Sequence, residues 1–88
     1  MRYQRNPAVE SAPMQQEVIL FEPAASMFCL LNGTAAFLWD RLERPSTADE
    51  LTAALCGHYQ GVDTTRAAAD VEKALAEFNR LAVVVDAP

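Results

Sequence analysis

The spacing of apolar and polar positions changes once along this chain, from a period of two to a period of 3.6. Glu17-Val18-Ile19-Leu20-Phe21 and Ser26-Met27-Phe28-Cys29-Leu30-Leu31 are β-branched, aromatic and aliphatic runs of strand length, a composition that favours the extended backbone. Glu22-Pro23-Ala24-Ala25 between them reads as a turn, because proline pre-sets φ for one. The two runs therefore form a hairpin. A strand that is apolar at nearly every position has something to cover on both faces. Upstream, Ala8 to Met14 is short and interrupted by Pro13, which confines it to an edge strand. Residues 1–7 are polar, end in Pro7 and read as a flexible N-terminal arm ahead of a single domain over 8–88.

Beyond Leu31 the helical period takes over. Asn32 suits the N-cap of a first helix through Thr34, Ala35, Ala36, Phe37, Leu38, Trp39 and Leu42, and Arg44-Pro45 stops it. Thr47-Ala48-Asp49-Glu50 has the capping-box pattern, in which the Thr hydroxyl accepts a backbone N–H and the Glu carboxylate reaches back. It opens a second helix with Leu51, Ala54, Leu55 and Tyr59 on its apolar side, ending near Gly57 to Gly61. Asp63-Thr64-Thr65 caps a longer third helix whose stripe, Ala68, Val71, Ala74, Leu75, Phe78 and Leu81, recurs at i, i+3, i+4, i+7. The tail from Ala82 to Val85 either extends that helix or forms a last short strand. The expected fold is α+β and winged-helix-like, a three-stranded antiparallel sheet followed by three helices. Trp39, Phe37, Leu51 and Leu55 are expected in its core.

With 88 residues the chain is one domain's worth. A chain of this length buries only about 60–65% of the surface its unfolded form exposes, which leaves little room for a deep catalytic cavity beside a core. Apolar residues make up 51% and charged ones 22%, a globular balance. No apolar run approaches the roughly 20 residues that span a bilayer, and no apolar stretch follows Met1-Arg2-Tyr3-Gln4-Arg5 as in a secretory signal. The expected location is the cytoplasm, with no membrane partner. There Cys29 and Cys56 stay reduced, and their apolar neighbours suit buried thiols.

Chemistry-bearing patterns are scarce. The single histidine, His58, has no nucleophile or metal-ligand spacing around it, and the cysteines lack a C-x-x-C spacing. Three glycines cannot supply a phosphate-cradling loop or a dinucleotide fingerprint. No Asp-Ser-Leu marks a phosphopantetheine attachment site. No catalytic residue, metal or cofactor is expected, and an enzyme is disfavoured. The net charge of −5 argues against nucleic acid as the principal partner. A winged-helix DNA-binding regulator is the alternative reading, but on the third helix Arg66, Lys73 and Arg80 are cancelled by Asp70, Glu72 and Glu77.

At Leu31-Asn32-Gly33-Thr34-Ala35-Ala36-Phe37-Leu38-Trp39 the sequence resembles the PqqD-like family, the RiPP recognition elements, whose pattern there is Leu-Asn-x-Thr-Gly-x-x-(apolar)-Trp. The likeness continues through Thr47, Glu50-Leu51, Leu55 and Tyr59 to Asp70-Val71 and Leu75, and upstream through Val18 to Pro23. It covers roughly residues 8–85. The sequence departs from the pattern at Ala35 and Arg44, where glycine is usual, and at Leu81-Ala82-Val83, which leaves the third helix without a glycine for a left-handed cap.

The resemblance implies a binding module. The leader segment of a ribosomally made precursor peptide adds as a strand along the third strand, in a groove walled by the third helix, and is delivered to a modifying enzyme such as a radical-SAM protein or a leader protease. Carried onto this chain, the peptide-binding strand is Ser26, Met27, Phe28, Cys29, Leu30 and Leu31, and the wall is Val71, Ala74, Leu75 and Phe78. Within the strand, Met27, Cys29 and Leu31 share one face and Phe28 and Leu30 the other. Cys29 and Leu31 are expected in the core, and Phe28 toward solvent or a partner. Lys73 and Arg80 are candidates to meet acidic leader residues. The free strand edge is also a place where a second copy of the chain can pair, giving a homodimer.

Overall fold

The computed structural model describes residues 1–15, 17–31 and 33–87. The elements in chain order are β1 (Arg2–Arg5), β2 (Glu10–Met14), β3 (Glu17–Glu22), a 3₁₀ turn (Pro23–Ala25), β4 (Met27–Leu31), α1 (Gly33–Arg41), β5 (Ser46–Thr47), α2 (Ala48–His58), α3 (Thr64–Arg80) and β6 (Val84–Ala87). The sheet expected from the sequence is present as β2-β3-β4, antiparallel throughout. Its hairpin closes through the 3₁₀ turn. Ser26 there adopts φ 54° and donates its N–H to the Pro23 carbonyl at 3.2 Å. Ser26 therefore belongs to the turn, and the strand begins one residue later than expected.

The register explains how an almost wholly apolar hairpin distributes its side chains. Leu20 opposes Cys29 and Val18 opposes Leu31 on one face, while Phe21 opposes Phe28 and Ile19 opposes Leu30 on the other. Directly opposed residues share a face. The first set turns toward the helices, and Leu20 and Leu31 are buried.

A second sheet, of order β5-β1-β6, corrects the expectation for residues 1–7. They are not a loose arm: Arg2–Arg5 is the central strand, pairing antiparallel with Ser46–Thr47 on one side and with Val84–Ala87 on the other. Four polar or amphipathic residues carry no period-two signal, and their partners are remote in sequence. The pairing is made by backbone groups and by Arg5. Its Nε donates to the Trp39 carbonyl at 2.9 Å, and its guanidinium lies over the Trp39 ring at 4.9 Å. A cation at the C-terminal end of α1 also suits the helix dipole. The tail, open to two readings from sequence, is a strand.

The helices begin as their caps dictate. Thr47 and Glu50 form the reciprocal capping box, with Glu50 N–H to Thr47 Oγ1 at 3.0 Å and Thr47 N–H to Glu50 Oε1 at 2.8 Å. Asp63 Oδ1 accepts the Arg66 N–H at 2.8 Å. The proposed N-cap Asn32 lies outside the described residues. At the other end of α3, Val83 N–H bonds the Phe78 carbonyl and Ala82 N–H the Asn79 carbonyl, at 3.0 and 3.1 Å. This is a Schellman closure, and Ala82 holds the left-handed position at φ 59° where glycine is customary.

One core joins these parts, formed by Leu20, Leu38, Trp39, Leu42, Leu51, Leu55, Val71, Phe78 and Val83. Trp39 meets Phe78 edge to face, with centroids 6.2 Å apart. Its Nε1 is buried with no hydrogen-bond partner among the described residues. That donor costs about 1–3 kcal/mol, against roughly 4–6 kcal/mol from burying an indole, so burial wins. Two core expectations shift. Phe37 is half-buried and stacks on His58 at 4.3 Å. On α3, Ala67 rather than Ala68 is fully buried, because it lies one turn from Val71 on the inward face.

Candidate functional site

The β2-β3-β4 sheet has two edges, and they differ chemically. On the β2 edge Pro13 lacks an N–H, which blunts pairing. The β4 edge, Met27 to Leu31, contains no proline and has no strand partner beyond β3 among the described residues. Its outward N–H and C=O groups are a template for one more strand.

The side chains of β4 alternate. Phe28 and Leu30 are 73% and 56% exposed, while Met27 and Cys29 are half-buried and Leu31 is buried. The inward positions face α3. Burial is the main cause that raises the Cys29 thiol above its ordinary value; the Glu77 carboxylate raises it further and Arg80 opposes. Cys29 thus lies within electrostatic reach of the last turns of α3. Met27 shares a cleft of about 230 Å³ with Leu81, Ala82, Glu22 and Val9. Nearer the other end of α3, Thr34, Asp70 and Arg66 share a second cleft of about 250 Å³ with Leu55 and Tyr59. The first cleft and the reach of Cys29 to Glu77 and Arg80 mark a shallow groove between β4 and the C-terminal end of α3; the second cleft, which no β4 residue lines, lies at the N-terminal end of that helix.

The wall carried over by resemblance is mostly buried. Val71, Leu75 and Phe78 are 0%, 5% and 1% exposed, so they hold α3 onto the core. Ala74 is half-buried and lies at the boundary. The outer flank is the series Arg66, Asp70, Lys73, Glu77 and Arg80, exposed apart from the half-buried Asp70, spaced by four and three residues and alternating in sign. Arg80 donates from Nε to Glu77 Oε2 at 3.0 Å and from its terminal nitrogen to Glu77 Oε1. This bidentate pair holds the Glu77 carboxyl below the ordinary range and Arg80 above its own. Asp70 and Glu77 were legible only as part of a solvated face, and Leu81 only as core; the 4-3 spacing of opposite charges is the signal that could have singled the flank out.

His58 stacks on Phe37 and meets Tyr59 edge-on at 4.6 Å. Among the described residues no three His, Cys, Asp or Glu side chains are grouped to hold a metal ion, and no helix is long and apolar enough to cross a membrane.

Two solved structures share this fold. TbiB1 in complex with the TbiA(beta) leader peptide superposes with a TM-score of 0.85 at 22% identity, covering 97% of this chain and 98% of that one. A lasso peptide synthetase B1 complexed with the leader peptide gives 0.82 at 19% identity, covering 97% and 99%. No curated protein sequence matches significantly. The sequence profile of coenzyme PQQ synthesis protein D (PqqD) matches residues 17–84, from the first residue of β3 into β6. The chain belongs to the PqqD family.

Proposed function

We propose that this chain is a RiPP recognition element, a non-catalytic module that binds the leader segment of a ribosomally synthesised precursor peptide and delivers it to a modifying enzyme in the cytoplasm. The observation that carries this reading is the proline-free edge of β4, with Cys29 on that strand within electrostatic reach of Glu77 and Arg80 on α3. A leader pairing with β4 gains backbone hydrogen bonds worth about 0.5–1.5 kcal/mol each, whatever its sequence. Side chains seated between β4 and α3 then supply the choice among leaders. Two proteins of the same fold were each solved with a leader peptide, which supports leader binding here.

The test is a fluorescence-polarisation titration against a labelled leader from a neighbouring precursor gene. Val71, Leu75 and Phe78 are unsuitable probes, because Phe78→Ala costs about 3–5 kcal/mol of fold and reports on folding. Ala74→Arg keeps a strong helix former and extends a long side chain from the groove boundary. It is expected to weaken leader binding by about tenfold or more with an unchanged circular dichroism spectrum. Absence of leader binding by the unmodified protein, with affinity for a DNA duplex at physiological salt, would overturn the reading.

A further inference from the structure

The face of the β2-β3-β4 sheet turned away from the helices is apolar across all three strands. Phe21 opposes Phe28 and Ile19 opposes Leu30, with Ala12 and Met14 continuing the surface on β2. Phe28 is 73%, Leu30 56% and Met14 53% exposed. Single exposed apolar side chains are ordinary, but a contiguous plate of them on a small soluble domain marks an interaction surface. This plate is distinct from the peptide groove, which follows the edge and inward face of β4. The plate extends away from that edge to β2.

Charge at the plate is of one sign. Glu10 opposes Phe21 and Glu17 opposes Met14, so both carboxylates stand on the outer face at its border. Both are exposed, and neither makes an ion pair with a described residue. No Lys, Arg or His occurs between residues 6 and 40; all seven Lys and Arg residues lie outside that stretch. A second copy seated here would bring two acidic borders together on a chain of net charge −5, which disfavours self-association.

We propose that the outer face of this sheet docks the modifying enzyme, through an apolar patch on that enzyme bordered by lysine or arginine side chains. The inference rests on the reading that the chain delivers a peptide to an enzyme. The docking face and the peptide edge share β4, so an enzyme on the plate sits beside the strand added to that edge.

The test uses Met14→Lys and Glu17→Lys, both on the outer face and both outside the groove. Binding of the full chain to the purified modifying enzyme encoded beside it is followed by biolayer interferometry without peptide. Leader affinity is measured separately by fluorescence polarisation. Met14→Lys is expected to weaken enzyme binding about tenfold or more, and Glu17→Lys to slow association several-fold and reduce its salt dependence. Both leave leader affinity and the melting curve unchanged. Enzyme binding that is absent, or unaltered by both substitutions, overturns the proposal. So does self-association in sedimentation velocity that Met14→Lys abolishes while enzyme binding persists, since that assigns the face to a second copy. Failure of leader binding alone overturns the peptide reading and leaves the docking result standing.

Discussion

Ala82 shows how much a single side chain can set against its own backbone. At φ 59° it occupies the left-handed position that ends α3, with both Schellman hydrogen bonds formed around it. A Cβ there costs about 1–2 kcal/mol, and the residue is held because Val83 and Val84 beyond it are buried and β6 must start where it does. Asn6 reinforces the site, donating from Nδ2 to the Ala82 carbonyl at 2.8 Å and from its backbone N–H to the Val83 carbonyl at 2.9 Å. Ala82→Gly is therefore expected to stabilise the protein by about 1 kcal/mol, seen as a higher denaturant midpoint at unchanged m-value. An unchanged or lower midpoint would show that the strain is relieved in solution. The sequence displayed the missing glycine but not the answer to it, because the compensating contacts come from residues far along the chain.

Among the elements, β4 and α3 were legible separately and their meeting was not. Period two fixed which β4 residues face outward, and Phe28 and Leu30 are exposed as that alternation requires. Period 3.6 found the stripe of α3 but could not say which border of it looks over the sheet edge. Cys29 reports on the junction directly. With its thiol raised chiefly by burial, it holds less thiolate at a given pH. Its alkylation by iodoacetamide should follow a pH profile displaced upward from that of a free thiol, and run slower near pH 8. A saturating leader should slow it further, with mass spectrometry separating Cys29 from Cys56. An alkylation rate at Cys29 indifferent to leader would remove the groove beneath β4 as the binding site.

For the whole molecule, the second sheet matters more than its size suggests. Local patterning gave the hairpin, the three helices and both well-formed caps, all of them made by residues close in sequence. It missed the sheet β5-β1-β6, whose members pair over nearly the full length of the chain, with Arg2 opposite Ala87 and Arg5 opposite Val84. Deleting residues 1–6 removes the middle strand of that sheet along with the Arg5 and Asn6 bonds. At about 1 kcal/mol net per hydrogen bond, the loss should reach several kcal/mol in urea unfolding. A truncated chain as stable as the full one would restore the loose-arm reading.

The pairing of Arg2 with Ala87 also has a consequence for how such a domain can be built into other proteins. Where both ends of a fold leave side by side, the fold behaves as a cassette: a host chain can enter and exit it at nearly one point, with short joints and no spacer. The same geometry permits circular permutation, with the old ends bridged by a few flexible residues and new ones opened in the exposed stretch Glu43–Pro45. In that rearranged chain β1 and β6 would become the two arms of a hairpin, and the most remote contact in the natural sequence would become one of the most local.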